Sequence, residues 1–327
     1  PGDAGLIINF TDPYLISNLC GMVPLMIGAF LDLAESKRLS VKELYNLKTN
    51  VYEPETEWQN YPPCVQIEPT SICNYRCVMC YQVDKSFSGR SMGHMGHMGL
   101  NVFKQAIDEL EGNVEAVTLA SRGEPTLNPH LPEMLEYATG KFLGLKLNTN
   151  ASVLTEPLIH AILQSDLRTL VFSADAADKN TYEKIRVNGK FDRVMRNIQL
   201  FHDIKSTHYK DNPLVTRVSG VKLNDDQNIS DMEKAWGSLV NEVAFVHYNP
   251  WESAYNNDEN SLTSPCTELF RRVFLWWDGR FNPCDYDYKS TLTELDRETF
   301  PEISIQEFWQ GNLYSLLREK HLSKKHN

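Results

Sequence analysis

The sequence predicts an α/β protein built on a mainly parallel sheet of six strands that alternate with helices. Two observations lead to this prediction. Short apolar runs alternate with amphipathic stretches along residues 62–250, and the amphipathic stretches follow the helical period of about 3.6 residues. Six strand–helix units fit a partial barrel or a doubly wound sheet. In both folds, ligands bind at the carboxyl ends of the strands.

The elements are predicted from the position of apolar side chains. Residues 100–110 place their apolar side chains on one helical face, at Val102, Phe103, Ala106, Ile107 and Leu110. The other predicted helices cover 131–138, 156–163, 182–204 and 231–239. Strands are predicted at the apolar runs 65–68, 116–120, 143–147, 170–173, 215–223 and 243–246.

Three regions are predicted along the chain. Residues 1–61 form an N-terminal helical segment, 62–252 the sheet domain, and 253–327 a small C-terminal module. That module contains a β-hairpin at 274–283, with Asp-Gly at its turn, and a helix. The chain begins without Met and stops abruptly at Asn327, so we expect a trimmed sequence with a truncated C-terminal module.

Charge and cysteine content exclude several classes of protein. The chain has 32 Lys and Arg against 43 Asp and Glu, and its net charge of -11 repels nucleic-acid backbones. Seven cysteines in 327 residues are too few, and odd in number, for a disulfide scaffold. We therefore expect thiols or metal ligands in the cytoplasm. The longest uninterrupted apolar run, 19–31, is shorter than the ~20 residues of a membrane span.

Cys73, Cys77 and Cys80 follow the first predicted strand with the spacing C-x3-C-x2-C. Thiolates are the usual ligands of iron–sulfur clusters, which normally need four. Three thiolates would leave one iron open to a small molecule. Structural zinc is the alternative, since His94 and His97 are near in sequence, but zinc sites normally pair four ligands.

This triplet resembles the signature of the radical S-adenosylmethionine (SAM) superfamily, and the resemblance runs from about residue 62 to the end. It implies a partial (β/α)6 TIM-like barrel in which the three cysteines hold a [4Fe-4S] cluster. It further implies that SAM occupies the open iron and that one-electron reduction yields a 5′-deoxyadenosyl radical. An electron donor such as flavodoxin or ferredoxin is the implied partner.

The resemblance also implies which residues contact SAM. Gly123 and Glu124 resemble the family's Gly-Gly-Glu-Pro element, whose carboxylate accepts hydrogen bonds from the SAM ammonium group. The first of those glycines is replaced by Arg122, which is expected to project into the site. Arg186 resembles the arginine that pairs with the SAM carboxylate. The remaining implied cofactor contacts are Met79, Tyr81, Asn148 and Ser173.

A second pair of cysteines, Cys266 and Cys284, flanks the predicted hairpin. Their spacing around a central glycine resembles the opening of twitch and SPASM domains and implies an auxiliary iron–sulfur cluster. Two buried structural cysteines are the alternative. A cluster normally needs four ligands. The missing ones are expected beyond the last residue, or among Cys20, Cys64, Asp285 and Asp287.

These features together predict a radical SAM oxidoreductase or epimerase. The expected substrate is a small polar molecule (a sugar, sugar nucleotide or aminocyclitol) that undergoes dehydrogenation or epimerisation. Arg122 and Asp285 are the candidates for proton handling or substrate contact. Residues 1–60 are short for a leader-peptide domain, which argues against a peptide substrate. Two alternatives stay open: maturation of a ribosomally made peptide, and a non-catalytic zinc- or Fe-S-stabilised binding module.

Overall fold

The computed structural model describes residues 60–225, 227–248, 250–252, 254–255, 265–292 and 299–323. The predicted N-terminal helical segment, apart from its last two residues, lies outside the described residues, as does Cys20.

The strands are β1 Cys64–Ile67, β2 Arg76–Cys77, β3 Ala116–Leu119, β4 Gly144–Thr149, β5 Thr169–Ser173, β6 Arg186–Val187, β7 Val215–Lys222, β8 Glu242–His247, β9 Arg272–Leu275 and β10 Phe281–Asn282.

The predicted helices 100–110, 131–138 and 156–163 begin and end within one residue of the observed positions, whereas the predicted helical stretch 182–204 is divided by β6. The described part of the chain contains nine α-helices. They are α1 Lys85–Ser88, α2 Leu100–Leu110, α3 Leu131–Ala138, α4 Glu156–Gln164, α5 Lys179–Ile185, α6 Phe191–His208, α7 Ile229–Trp236, α8 Ile305–Gln310 and α9 Asn312–Leu322. Polar caps fix several of their starts. Asp178 accepts a hydrogen bond from the Thr181 amide at α5, and Asn228 accepts one from the Asp231 amide at α7. No described helix is long and apolar enough to cross a bilayer.

Eight strands form one sheet in the order β10-β9-β1-β3-β4-β5-β7-β8. The six predicted strands are confirmed, and each pairs in parallel with its neighbour from β1 to β8. The α/β fold class with a mainly parallel sheet is therefore confirmed, and it fits a partial TIM-like barrel. The predicted hairpin is β9 and β10, and β9 joins β1 in parallel. The hairpin thus continues the main sheet at its β1 edge.

The two faces of the sheet differ in chemistry because side chains alternate along each strand. On β4, Leu145 and Leu147 are buried in the hydrophobic core that the helices cover. On the other strands, the residues that face the helices belong to the same core: Val65, Ile67, Val117, Leu119, Leu170, Phe172 and Val218. The opposite face is mostly polar: Gln66, Thr118, Lys146, Asn148, Ser173, Arg217 and Ser219. Polar side chains are costly to bury in a packed core without partners, so this face is better suited to contact a ligand or solvent.

Candidate active site

Residues 68–82, which carry Cys73, Cys77 and Cys80 and are called the cysteine loop below, follow the carboxyl end of β1. Hydrogen bonds join this loop to neighbouring segments. The side-chain amide of Asn74 donates through Nδ2 to the Ser152 hydroxyl at 2.8 Å, and its Oδ1 accepts from Asn150 Nδ2 at 2.9 Å. The buried Gln82 side chain donates to the carbonyls of Ser71 and Arg122 at 2.8 and 2.6 Å. The loop is therefore fixed in place by residues that follow β3 and β4.

The three thiols of this loop are free cysteines and influence one another electrostatically. Burial raises the pKa of Cys73 to about 12, and the charges of Glu124, Cys77 and Cys80 add to the effect. Burial likewise raises the pKa of Cys80 to about 12. These thiols therefore keep their protons at neutral pH unless a cation is bound, and a coordinated metal deprotonates a thiol.

An iron–sulfur cluster fits this donor set. The three cysteines lie on one loop. Each thiolate that binds such a cluster can bind a different iron. N–H donors also reach the sulfur atoms: the Tyr75 amide lies 3.4 Å from Cys73 Sγ, and Arg186 Nη1 lies 3.9 Å from Cys77 Sγ. Hydrogen bonds of this kind tune a cluster's potential. Within the described ranges, no three His, Cys, Asp or Glu side chains are placed to hold a single metal ion.

Glu124 lies beside the cysteine loop with its carboxylate buried. Its Oε1 accepts from the Thr126 and Thr149 hydroxyls, both at 2.6 Å, and from the Thr126 amide. Its Oε2 accepts from the Asn150 amide at 2.6 Å. A carboxylate oxygen has two lone pairs, so Oε2 retains one acceptor position for a further donor. The predicted contact with the SAM ammonium group stays a prediction.

Gly123 is where the Glu124 segment passes the backbone of the cysteine loop. A Cβ at this position would lie 2.2 Å from the Thr70 carbonyl oxygen and 2.7 Å from that of Ile72. The Glu124 amide donates to the same Ile72 carbonyl at 2.9 Å. The absence of a side chain therefore allows the two segments to meet.

The Gly123→Ala variant should bind less iron and unfold more readily than wild type. The added methyl cannot fit against the 70–72 backbone, and strain of this kind costs about 1–3 kcal/mol. The measurements are iron per chain after anaerobic reconstitution and the denaturant midpoint. Gly99→Ala is the matched control, since a Cβ there meets nothing within 4 Å. Equal iron content in the two variants would contradict the assignment of the cysteine loop as the site of the cluster.

Arg186 is held against the cysteine loop by an ion pair with Asp175. Their Nε and Oδ2 atoms are 2.6 Å apart and both side chains are buried. Burial disfavours the charged guanidinium, but the charges of Asp175 and Cys77 outweigh it and raise the pKa of Arg186. Strand pairing of β6 with β2 places Arg186 opposite Cys77. Its predicted pairing with the SAM carboxylate stays a prediction. Asp175, which orients it, was missed by the sequence analysis.

A family model described as the radical SAM superfamily matches residues 67–228. The chain belongs to the radical SAM superfamily. Membership implies the [4Fe-4S] cluster and SAM at the cysteine loop, which are the groups that this donor set fits.

Two sequence relatives and one solved structure show how far the similarity extends. The mycofactocin maturase MftC of Mycobacterium tuberculosis is 29% identical over 164 residues, which are 50% of this chain and 40% of MftC. An AdoMet-dependent heme synthase of Methanosarcina barkeri is 25% identical over 219 residues, 67% of this chain and 58% of that protein. The structure of Streptococcus suis SuiB bound to precursor peptide SuiA superposes with a TM-score of 0.65 at 13% identity, covering 93% of this chain and 79% of SuiB.

The expectation of a sugar, sugar nucleotide or aminocyclitol substrate is wrong. The relative MftC is a maturase, which fits the alternative of a maturase better than it fits a sugar-modifying enzyme. The short segment 1–60 does not exclude a peptide substrate, because the length of a flanking segment does not determine what the barrel accepts.

Arg122 does not project into an open radical SAM site, contrary to the sequence-based expectation. Its side chain is fully buried, and Nε and Nη2 donate to the Glu68 carboxylate at 2.7 and 2.6 Å. Nη1 donates to the Tyr288 carbonyl, and the guanidinium lies 4.2 Å from the Trp276 ring centroid. With its donors engaged inside the protein, Arg122 has no exposed group for proton handling or substrate contact.

The other implied SAM contacts lie around the same strand ends. Asn148 Oδ1, on β4, is buried without a hydrogen-bond partner, which suits a donor from a bound ligand. Ser173 ends β5, and Met79 is half-buried in the cysteine loop. The Tyr81 ring stacks on the Tyr288 ring at 4.7 Å. Tyr81 therefore joins the cysteine loop to the segment that follows Cys284.

Cys266 and Cys284 lie within electrostatic reach of each other on either side of the hairpin. Burial raises the pKa of Cys284, with contributions from the charges of Asp285 and Cys266. The Cys266 amide lies 3.3 Å from His321 Nδ1, and the Tyr286 amide lies 3.3 Å from Cys284 Sγ. Two neighbouring thiols fit part of an auxiliary iron–sulfur cluster.

The further ligands considered for this auxiliary site differ in availability. Asp285 is exposed to solvent next to Cys284, and its roles as ligand or catalytic residue stay predictions. Both carboxylate oxygens of Asp287 already accept hydrogen bonds: Oδ1 accepts from Tyr255 and Thr291, and Oδ2 accepts from the Leu292 amide. Cys64 is buried, and its thiol donates to the Arg271 carbonyl at 3.5 Å. Asp287 therefore organises its own loop.

Lys146 is a polar residue of the inner face that the sequence analysis missed. Burial, together with the charges of Arg272 and Arg217, lowers its pKa to about 8. The signal in the sequence was a lysine between Leu145 and Leu147, in the alternating pattern of a half-buried strand.

The Lys146→Met variant should be more stable than wild type at pH 7. A pKa lowered from 10.5 to about 8 corresponds to roughly 3 kcal/mol of unfavourable burial and repulsion by the two arginines. Because the unfolded chain binds more protons between these two values, wild-type stability should rise from pH 8 to 10.5, and the advantage of the variant should shrink. Urea unfolding across this pH range measures it. The exposed Lys234→Met should show neither effect.

Proposed function

We propose that this protein is a radical SAM maturase that modifies a peptide. The observation that carries the proposal is the cysteine loop, which is held at the carboxyl ends of β1, β3 and β4 in a chain similar over half its length to a maturase. The similarity in fold to SuiB, which was crystallised with a precursor peptide, supports the same substrate class.

The residues of this chain have separable tasks. Cys73, Cys77 and Cys80 would hold the cluster, and Glu124 and Arg186 would bind the ammonium and carboxylate groups of SAM. When bound, cluster and SAM supply a 5′-deoxyadenosyl radical that abstracts hydrogen from the substrate. The protein orients the reacting groups and excludes water, which limits side reactions.

The proposal includes a one-electron donor and a reducing location. Flavodoxin or ferredoxin is the proposed donor. The cytoplasm is the proposed location, because thiols stay reduced there. The auxiliary site at Cys266 and Cys284 would then exchange electrons with the substrate radical.

Protease sensitivity of the substrate tests the proposal. Reconstituted protein, SAM and reductant are incubated with an extract of the source cells, and 5′-deoxyadenosine is measured above the extract-free background. We expect a rise that disappears when the extract has first been digested with a protease that is then inactivated. The Cys77→Ala protein should show no rise. A rise that survives digestion, or that is reproduced by a tetrapyrrole, would contradict a peptide substrate.

A further inference from the structure

The inner face of the sheet carries a group of cations at mid-strand. Lys146 lies on β4, Arg217 on β7 and Arg272 on β9. Lys146 is within electrostatic reach of both arginines. Cations gathered inside a fold repel one another and lose hydration, so they are destabilising unless anions balance them.

The two arginines have acidic neighbours. Arg272 Nε is 3.2 Å from Glu268 Oε2, and its Nη1 donates to Gln66 Oε1 at 2.9 Å. Arg217 is in register with Glu242 of β8, so the two side chains share a face of the sheet. Arg272 therefore has a carboxylate within ion-pair distance, and Arg217 has one at the adjacent position of the next strand.

Lys146 differs from them. Among the residues that the structure describes, none forms a hydrogen bond or an ion pair with its ammonium group. Its register neighbours on either side are Thr118 and Thr169, which carry no charge. It is only partly buried although β4 lies inside the sheet, so the inner face is open to solvent or ligand at this point.

The position of Lys146 relates it to the candidate active site. It precedes Asn148 by two residues on the same face, about 7 Å along the strand. Asn148 Oδ1 is buried and unpartnered, and Glu124 and the cysteine loop lie just beyond it. A ligand that extends from the strand ends into the barrel would reach Lys146.

We propose that Lys146 binds a carboxylate of the peptide substrate inside the barrel. This inference rests on the proposed function and specifies its substrate as acidic. A carboxylate supplies the negative charge that Lys146 lacks, and Thr118 and Thr169 place hydroxyl groups on either side of it. Peptides offer such a group at Asp or Glu side chains and at the C terminus.

Three blocked or unblocked pentapeptides test the proposal with reconstituted protein and SAM. They are acetyl-Ala-Ala-Glu-Ala-Ala-amide, its Gln counterpart, and acetyl-pentaalanine with a free C terminus. Dissociation constants are measured by ligand-observed NMR. We expect one or both carboxylate peptides to bind about tenfold more tightly than the Gln peptide, the factor typical of a charge-assisted contact. The preferred peptide identifies which carboxylate is recognised.

Variants of Lys146 assign that preference to one side chain. Lys146→Met should bind all three peptides equally, Lys146→Arg should keep most of the preference, and the exposed Lys234→Met should match wild type. Equal binding of the Glu, Gln and free-carboxylate peptides by wild type would overturn the carboxylate site and leave the maturase proposal standing.

Two further outcomes separate the remaining possibilities. If no peptide binds but succinate binds in a manner that depends on Lys146, the anion site stands and the peptide assignment fails. If Lys146→Met keeps the peptide preference but shifts the reduction potential of an iron–sulfur cluster, the lysine balances the charge of that cluster, and the proposal is overturned.

Discussion

Replacing Cys77 with alanine should abolish 5′-deoxyadenosine formation and lower the iron bound per chain. Cys77 is the least exposed of the three loop cysteines: it lies in β2, opposite Arg186 of β6, and the residue is 9% exposed. Without it, two thiolates would have to hold a cluster that normally takes three or four. The measurements are iron and sulfide content after anaerobic reconstitution, and 5′-deoxyadenosine released from SAM under reductant.

Cys64→Ala is the matched control for this variant. Cys64 is also buried, at 3% exposure, but it begins β1, at the end of the strand opposite the cysteine loop, and its thiol donates to the Arg271 carbonyl. The control should lose some stability and keep the 5′-deoxyadenosine activity. If the two variants lost activity equally, the loss would reflect damage to the fold, and the assignment of Cys77 to the cluster would fail.

The fold was predictable because its pattern is local. Strands β1, β3, β4, β5, β7 and β8 each bury one face against helices, so their apolar residues recur with the period of a strand. The parallel pairing of β9 with β1 was not predictable in this way. Residues 272–275 and 64–67 are separated by more than 200 positions, and nothing in either short run specifies its partner.

The part of the candidate site that consists of contiguous motifs could be predicted from the sequence. The part that depends on contacts between residues distant in sequence could not. The three cysteines and the Gly123–Glu124 step are contiguous motifs, so their geometry follows from the chain itself. Asp175 and Lys146 are single charged residues at strand positions, and only the assembled sheet shows what lies beside them. Arg122 was misread for the same reason, because its partner Glu68 is 54 residues away.

Replacing Arg122 with methionine should destabilise the protein by about 3–5 kcal/mol, the usual cost of leaving one partner of a buried ion pair alone. Glu68 and Arg122 are both 0% exposed, and the guanidinium also supports the Tyr288 carbonyl and stacks on Trp276. The variant leaves the Glu68 carboxylate buried with only the backbone amides of residue 122 and Trp277 as donors. Urea unfolding of the reconstituted protein measures the loss.

The double variant Glu68→Met/Arg122→Met separates the cost of an unpaired charge from the loss of packing. With both charges removed, no carboxylate is left unpaired, so the double variant should be more stable than the sum of the two single losses predicts. Lys179→Met is the surface comparison, since its ion pair with Asp192 is exposed and should contribute little. Additive losses would mean that Arg122 acts through its stacking on Trp276 and its bond to Tyr288. In that case the ion pair between Glu68 and Arg122 would contribute little to stability.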